Sequence, residues 1–234
     1  MRSITEALGK LELIIFPSSC KICGSPLKPG ERVICRECLD GFPFHSGPMC
    51  PVCGKPYFSP SALSITCGDC LKGRPFLIHR SAGLYEGNLR QSILLYKYGG
   101  YENLAKPLAQ FASARVDDVW DVDCIVPLPS HKKRLRERGF DHILLLARRL
   151  SKLRGLPVEK LLYRTKYTVP QVEFPRHKRK LNPRGSFALR KTSPCSRILL
   201  IDDVWTTGAT ITEASRVLKK AGHKVHALTL ARSV

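Results

Sequence analysis

The 234-residue sequence lacks a long apolar segment and has few acidic residues. Its early apolar run, residues 11–16, is interrupted by Glu12 and is far shorter than the roughly 18 residues that a membrane-spanning helix needs. No secretory signal is visible. We therefore expect a cytoplasmic protein without a membrane span.

The shortage of acidic residues leaves a large positive charge. Asp and Glu number 19 against 39 Lys and Arg, so the formal net charge is +20. Residues 131–195 alone contain nineteen Lys or Arg and four Asp or Glu, so fifteen of the twenty net charges lie there. Such a field favours a polyanion, either a ligand that carries pyrophosphate or a nucleic-acid backbone. Charge alone does not choose between the two.

Cysteine, in contrast, is abundant and regularly spaced. Eight of the ten cysteines form four C-x2-C pairs: Cys20 and Cys23, Cys35 and Cys38, Cys50 and Cys53, Cys67 and Cys70. Two such turns supply the four thiolates of a tetrahedral zinc ion, and this usage favours metal over disulfides. We predict two zinc sites, which are structural because four protein ligands leave no position for a substrate.

The spacing leaves the assignment of pairs to ions open. Pairing in sequence order gives two successive ribbons, while a crossed arrangement joins the first pair to the third and the second to the fourth. Thiol redox chemistry is the alternative use of C-x2-C, but it needs one reactive pair and not four evenly spaced pairs.

The segment 197–210, RILLIDDVWTTGAT, organises the rest of the chain. Its four consecutive apolar residues, 198–201, indicate a strand buried on both faces of a parallel sheet. Two acids, Asp202 and Asp203, follow this strand. A hydroxyl-rich turn and an amphipathic helix over 209–221 come next, and Gly222 is expected to end the helix.

This order of elements predicts a site for a phosphorylated sugar. The backbone N–H groups at a helix N-terminus attract phosphate, and Gly208 lets the backbone approach a ligand closely. Adjacent carboxylates suit the vicinal hydroxyls of a ribose, or a Mg²⁺ that bridges sugar and phosphate. We therefore expect a ribose 5-phosphate group here, with its phosphate on Thr206, Thr207, Gly208, Ala209 and Thr210.

The remaining pattern predicts three parts. Residues 1–19 have the spacing of a short amphipathic helix, residues 20–73 form the double zinc ribbon, and residues 79–234 form one α/β domain. Strands and helices alternate in this domain, which predicts a largely parallel central sheet with the ligand outside the carboxyl ends of its strands. A helix beginning at an Asp141 N-cap and stopped by Gly155 is part of that alternation.

Residues 201–210, IDDVWTTGAT, resemble the phosphoribosyl pyrophosphate (PRPP) motif of type I phosphoribosyltransferases. The whole chain resembles the ComF family, which joins a double zinc ribbon to a phosphoribosyltransferase-like domain. The blocks that carry this resemblance are 85–87, 97–100, 126–128 with Arg136 and 138–140, and the spaced set Arg164, Thr165, Gln171, Arg179, Asn182 and Phe187. Asp141 and His142 stand where Asn and Gln are commoner in the family, and Phe174 stands where Leu is usual.

The resemblance implies Mg-dependent PRPP binding and transfer of phosphoribose to an unknown acceptor, in a protein linked to bacterial competence and DNA uptake. Asp202 and Asp203 are then expected to hold the ribose diol as the catalytic acids. Lys97 and Arg138 are expected to face the leaving pyrophosphate.

Two other functions fit the same sequence. In the first, the protein is an accessory protein that binds single-stranded DNA. In the second, it is a PRPP sensor without transferase activity. The DNA hypothesis uses two basic segments, whose members are Lys132, Lys133, Arg134 and Arg136, and then Arg176, Lys178, Arg179 and Lys180. The aromatic residues available to stack on bases are Phe140, Tyr163, Tyr167 and Phe174.

Overall fold

The computed structural model describes residues 18–59, 63–165 and 184–234. The predicted N-terminal helix lies almost wholly outside these described residues. So does the second basic segment, with Arg176, Lys178, Arg179 and Lys180, together with Gln171, Phe174 and Asn182.

The described residues form an alternating series of helices and strands. The helices are α1 (Arg36–Asp40), α2 (Gly68–Leu71), α3 (Gly87–Tyr98), α4 (Ala105–Arg115), α5 (Lys132–Arg138), α6 (His142–Arg154) and α7 (Ala209–Lys220), and a 3₁₀ turn (Glu102–Leu104) precedes α4. The strands are β1 (Ile78–Leu84), β2 (Cys124–Pro127), β3 (Leu162–Arg164), β4 (Phe187–Leu189), β5 (Arg197–Trp205) and β6 (Lys224–Arg232).

Four of these strands form a sheet in the order β1-β6-β5-β2, and all of its neighbouring pairs are parallel. β5 is an inner strand, and its apolar residues 198–201 are completely buried. The prediction of a parallel sheet with this segment at its centre is therefore confirmed. β3 and β4 pair antiparallel as a separate two-stranded ribbon.

The two faces of the sheet bury different apolar clusters. Leu199 and Ile201 contribute to the cluster formed with α3, α4 and α6, while Ile198 and Leu200 pack against α7 and the β3–β4 ribbon. Successive side chains of a strand point to opposite faces. β5 stays in regular register with β6 as far as Trp205, so its acids follow the same alternation.

The helix boundaries follow the expected capping chemistry. The Asp141 side chain accepts a hydrogen bond from the backbone N–H of Leu144 at 3.1 Å, and Gly155 ends α6 in the left-handed region. Gly222, with φ 93°, follows the last turn of α7. These three positions confirm the predicted ends of the two helices.

The N-terminal ribbons pack into the cores of the α/β domain. Phe42 of the first ribbon makes an edge-to-face contact with Phe111 of α4, with ring centroids 5.1 Å apart. Cys50, Cys53 and Cys70 of the second ribbon belong to the same apolar cluster as Trp205. Within the described ranges, none of the helices is long and apolar enough to cross a membrane.

Candidate functional site

The cysteines form two groups of four in the described part of the chain. They are Cys20, Cys23, Cys35 and Cys38, and then Cys50, Cys53, Cys67 and Cys70. Within each group the sulfur atoms lie within 4.8 Å of one another, so the pairs combine in sequence order and the crossed arrangement is not adopted. Measured sulfur separations of 3.6 to 3.9 Å match the roughly 3.8 Å edge of a tetrahedron with Zn–S bonds of about 2.3 Å.

Each group has the local backbone of a zinc ribbon. Gly24 and Gly54 adopt positive φ angles of 78° and 64° directly after their C-x2-C turns, and each donates its backbone N–H to the first cysteine's carbonyl. The N–H of Cys35 also donates to the Cys20 sulfur at 3.3 Å. The donor sets therefore fit two structural zinc ions, and the prediction of two four-cysteine sites is confirmed.

Asp203 lies at the centre of a buried ionic network. Its Oδ2 is 2.9 Å from Nζ of Lys97, in the last turn of α3, and 2.7 Å from Nε2 of His142, the first residue of α6. Burial by itself raises the pKa of Asp203, but the two partners together hold that pKa well below its usual range. Asp203 is therefore an ionised carboxylate that already has two protein partners.

His142 connects this carboxylate to Arg138. The Arg138 guanidinium contacts Nδ1 of His142, and because a guanidinium only donates, Nδ1 is the acceptor. Nε2 then carries the proton and donates it to Asp203. Burial lowers the pKa of His142 in spite of the neighbouring carboxylate, so the ring is neutral at pH 7. The result is a linear network that runs from Arg138 through His142 and Asp203 to Lys97.

The exposed ring of Tyr98 lies beside both cations of the network. Its centroid is 5.5 Å from Cζ of Arg138 and 5.9 Å from Nζ of Lys97. At the other end, the buried Tyr96 hydroxyl donates to the backbone carbonyl of His142 at 2.5 Å. The network is thus anchored in the core through His142, and the exposed Tyr98 ring lies beside its two cations.

Asp202 has a different environment from Asp203. It follows the strand alternation to the opposite face, where Arg164 of β3 contributes to its electrostatic field. Burial, and then the charge of Asp203, raises the pKa of Asp202 to about 7. One carboxylate oxygen, Oδ1, accepts the backbone N–H of Asp203 at 2.9 Å. The two acids are therefore inequivalent in position and in charge.

Residues 206–210 form the turn from β5 into α7. Gly208 precedes the helix with φ 72°, and the backbone N–H of Ala209, the first residue of the helix, donates to Oγ1 of Thr207 at 3.4 Å. A Cβ at Gly208 would lie 2.1 Å from the Trp205 ring. Glycine is therefore required here by the close contact with Trp205.

Comparisons with known proteins agree with this architecture. Residues 12–71 match the double zinc ribbon domain family. The chain is 28% identical over 218 residues to competence protein ComFC of Bacillus subtilis, covering 88% of this chain and 87% of that protein. It is 28% identical over 220 residues to competence protein F of Haemophilus influenzae, covering 88% and 93%. The identity to DNA utilization protein YhgH of Escherichia coli K12 is 27% over 218 residues, covering 90% and 94%.

Over most of its length the chain is therefore similar to these competence and DNA utilization proteins. Among solved structures it is similar to glutamine PRPP amidotransferase from B. subtilis complexed with ADP and GMP, at 19% identity and a TM-score of 0.37. That likeness covers 58% of this chain and 30% of the enzyme, so the chain spans under a third of that protein. A score this low carries no argument about function.

The resemblance to the ComF family predicted some of the residues in the network but not all of them. Lys97, Arg138 and Asp203 were predicted from the sequence, and the structure joins them. His142 was not predicted, because it departs from the Gln that is commoner in the family. Its signal was its place directly after the Asp141 N-cap, which puts it at the start of a helix that faces β5.

The residues expected to contact DNA are only partly described. Lys132, Lys133, Arg134 and Arg136 lie on α5, a helix without a single buried residue. His131 caps this helix by accepting the backbone N–H of Lys133 at 3.2 Å. Tyr163 is 43% exposed, while Tyr167 lies outside the described residues. A solvent-facing basic helix is therefore present in the described part of the chain.

Proposed function

We propose that the chain binds PRPP at the carboxyl end of β5 and transfers its phosphoribosyl group, with Mg²⁺, to an acceptor. The observation that supports this most is that three features of the proposed site occur at one end of the sheet. The carboxylate of Asp202, the N-terminus of α7 and the cations Lys97 and Arg138 all occur near the carboxyl end of β5.

Each group has a role in this proposal. The turn 206–210 holds the 5-phosphate through backbone N–H groups and threonine hydroxyls, because a helix N-terminus attracts anions. The carboxylate of Asp202 binds the ribose hydroxyls by accepting their hydrogen bonds. The two cations offset the charge that develops as pyrophosphate leaves. Transfer through an oxocarbenium-like state needs positioning and charge stabilisation more than it needs an acid or a base.

The residues present fit Mg²⁺ as a companion of the substrate. Asp202 offers a hard carboxylate oxygen, and Mg²⁺ in phosphate-transfer sites is held by one or two carboxylates together with substrate phosphates. When bound, the ion supplies charge neutralisation of the pyrophosphate. Asp203 was expected to share this role, but Lys97 and His142 occupy one of its oxygens.

Calorimetry with PRPP tests the binding step. We expect the wild-type protein to bind PRPP in the presence of Mg²⁺, and Asp202→Ala to lose at least tenfold in affinity, equivalent to about 1.4 kcal/mol. Asp123→Ala, directly before β2 at the opposite end of the sheet from the carboxyl end of β5, is the control. An Asp202→Ala variant with unchanged affinity would refute the proposal.

A second experiment separates a transferase from a sensor. Pyrophosphate release from PRPP is measured against a panel of bases, nucleosides and single-stranded oligonucleotides. Release that depends on one class of acceptor identifies a transferase and its substrate class. PRPP binding without release under any of these conditions identifies a sensor.

DNA binding is a second candidate function, and the exposed basic helix α5 favours it. The relatives named for competence and DNA utilization give it a biological setting, and we propose the same association for this chain. An affinity for single-stranded DNA that falls steeply with salt, and that drops in Lys132→Ala/Lys133→Ala/Arg136→Ala, is the expected result. An affinity that these substitutions leave unchanged would exclude α5 as the contact.

A further inference from the structure

The two acids of the PRPP motif were expected to act together on the ribose, but their surroundings differ. Asp203 is 8% exposed, and its Oδ2 is shared between Lys97 Nζ and His142 Nε2. To take a ribose hydroxyl through this oxygen, the carboxylate would have to release a buried ammonium group. Leaving one partner of a buried ion pair uncompensated is costly.

We propose that Asp203 and His142 are positioning residues for the pyrophosphate end of the ligand, and that Asp202 alone serves the ribose. This assignment rests on the proposed PRPP function. Asp203 orients Lys97 directly and orients Arg138 through the neutral His142 ring. Both cations thereby come to the same side of the network, beside the exposed Tyr98 ring.

The directions of the hydrogen bonds make the network specific. Arg138 and Lys97 only donate, and an ionised carboxylate only accepts, so His142 must both accept and donate to connect them. A glutamine side chain offers the same combination of one acceptor and one donor. Leucine offers neither while filling a similar volume. Position 142 therefore provides a matched pair of variants, His142→Gln and His142→Leu.

Binding of two partial ligands tests the assignment. Calorimetry is performed with Mg-pyrophosphate and, separately, with ribose 5-phosphate. We expect His142→Leu to weaken pyrophosphate binding by about tenfold, the effect of one charge-assisted hydrogen bond. The affinity of this variant for ribose 5-phosphate should stay within about twofold of the wild-type affinity. His142→Gln should restore pyrophosphate binding. Asp202→Asn should show the reverse selectivity.

A loss of affinity confined to ribose 5-phosphate in His142→Leu or Asp203→Asn would overturn this inference. It would not overturn the proposal that the protein binds PRPP. Equal losses for both ligands in His142→Leu, not rescued by His142→Gln, would also overturn it, because that is the pattern of a merely structural residue. A wild-type protein that binds no PRPP would refute the proposed function itself. His142→Leu keeps the test valid if Asp203→Asn does not fold.

A spectroscopic readout is independent of any ligand. Nitrogen-15 NMR of the wild-type protein at pH 7 should find His142 neutral, with its proton on Nε2. Asp203→Asn should keep the proton on Nε2, because Arg138 still donates to Nδ1. A wild-type ring protonated on Nδ1 would contradict the network.

Discussion

Two neighbouring carboxylates on one strand can have opposite electrostatic character, and Asp202 and Asp203 illustrate this. Both are removed from bulk water, which by itself raises the pKa of each group. Asp203 gains a lysine and a histidine as partners, and its ionised form is favoured. Asp202 gains mainly the unfavourable charge of Asp203. The partners supplied from α3 and α6 therefore decide which acid is charged.

Asp202→Asn is expected to stabilise the protein at alkaline pH. The folded-state pKa of Asp202 is raised to about 7 from its ordinary value of 3.8, so stability is lost as pH rises between these values. The variant should exceed the wild type at pH 8 by on the order of 2 kcal/mol in unfolding free energy, and the difference should vanish near pH 4. Chemical denaturation across this pH range measures it.

Asp123 provides a control of the opposite sign. Hydrogen bonds from the backbone N–H groups of Arg197 and Ser196 lower the pKa of Asp123. Its contribution to stability is present above the unfolded pKa and is lost as pH falls. Asp123→Asn should therefore destabilise the protein at pH 8. If both variants shifted stability in the same direction, the electrostatic account of Asp202 would be wrong.

Lys97→Met is expected to be strongly destabilising. It leaves the Asp203 carboxylate with His142 as its remaining partner in a site with little solvent, and breaking a buried ion pair in this way costs about 3–5 kcal/mol. The expected measurement is a lower denaturation midpoint with an unchanged slope. Lys28→Met, which removes an exposed ion pair with Glu37, is the control and should have little effect.

At the scale of elements, the sequence predicted β5, α6 and α7 well because short-range chemistry determines them. Four apolar residues in a row, a glycine with positive φ and an Asp N-cap each act within a few positions of the chain. The alternating order predicted a largely parallel sheet, and the order of the strands in it followed from the structure. The basic segment at 131–138 was recognised by charge, and its helical form followed from the structure.

The partners of the acids could not be predicted in the same way. His142 lies 61 positions before Asp203, and only the packing of α6 against β5 brings the two side chains together. The strand alternation did hold a clue, since adjacent residues of a strand face opposite sides. Using it required knowing that β5 continues past Ile201 to Trp205, and the sequence predicted an earlier end.

Gly208→Ala tests the turn between β5 and α7. The substitution combines a left-handed backbone with a clash against the Trp205 ring, so we expect a loss of about 2–4 kcal/mol in stability and weaker PRPP binding. Gly155→Ala is the matched control. It has a similar φ of 69° but nothing within 4 Å of the new Cβ, and should cost only about 1 kcal/mol. Equal losses would show that the contact with Trp205 is unimportant.

At the scale of the whole molecule, the second zinc ribbon packs into the domain next to the turn 206–210. The carbonyl of Cys53 accepts hydrogen bonds from the Arg232 guanidinium and from Nδ1 of His79, the latter at 3.0 Å. The His79 ring lies 4.0 Å from the Trp205 ring, and Cζ of Arg232 lies 4.8 Å from it. Trp205 in turn packs on Gly208. A continuous set of contacts thus joins this zinc site to the turn.

The first zinc ribbon has a different neighbour. Its Cys38 carbonyl lies 3.4 Å from the Asn88 side-chain amide of α3, and its apolar residues pack in the cluster on the other face of the sheet. The two zinc sites therefore support opposite faces of one sheet. Loss of metal from each should have a distinct local consequence, even though both sites contribute to global stability.

Trp205 fluorescence can distinguish these consequences. Trp205 and Trp120 are the two tryptophans of the chain, so Trp120→Phe makes Trp205 the single fluorophore. Cys35 and Cys67 are equivalent ligands, since each is the N-cap of the short helix in its own ribbon. In the Trp120→Phe background, Cys67→Ser should shift Trp205 emission, because it disturbs both the thiolate charge that balances Arg232 and the backbone at Cys53. Cys35→Ser should leave Trp205 emission nearly unchanged. Zinc content per chain, measured by mass spectrometry, should fall from two ions to one in each variant. Equal emission shifts in the two variants would contradict the specific link between the second zinc site and the turn 206–210.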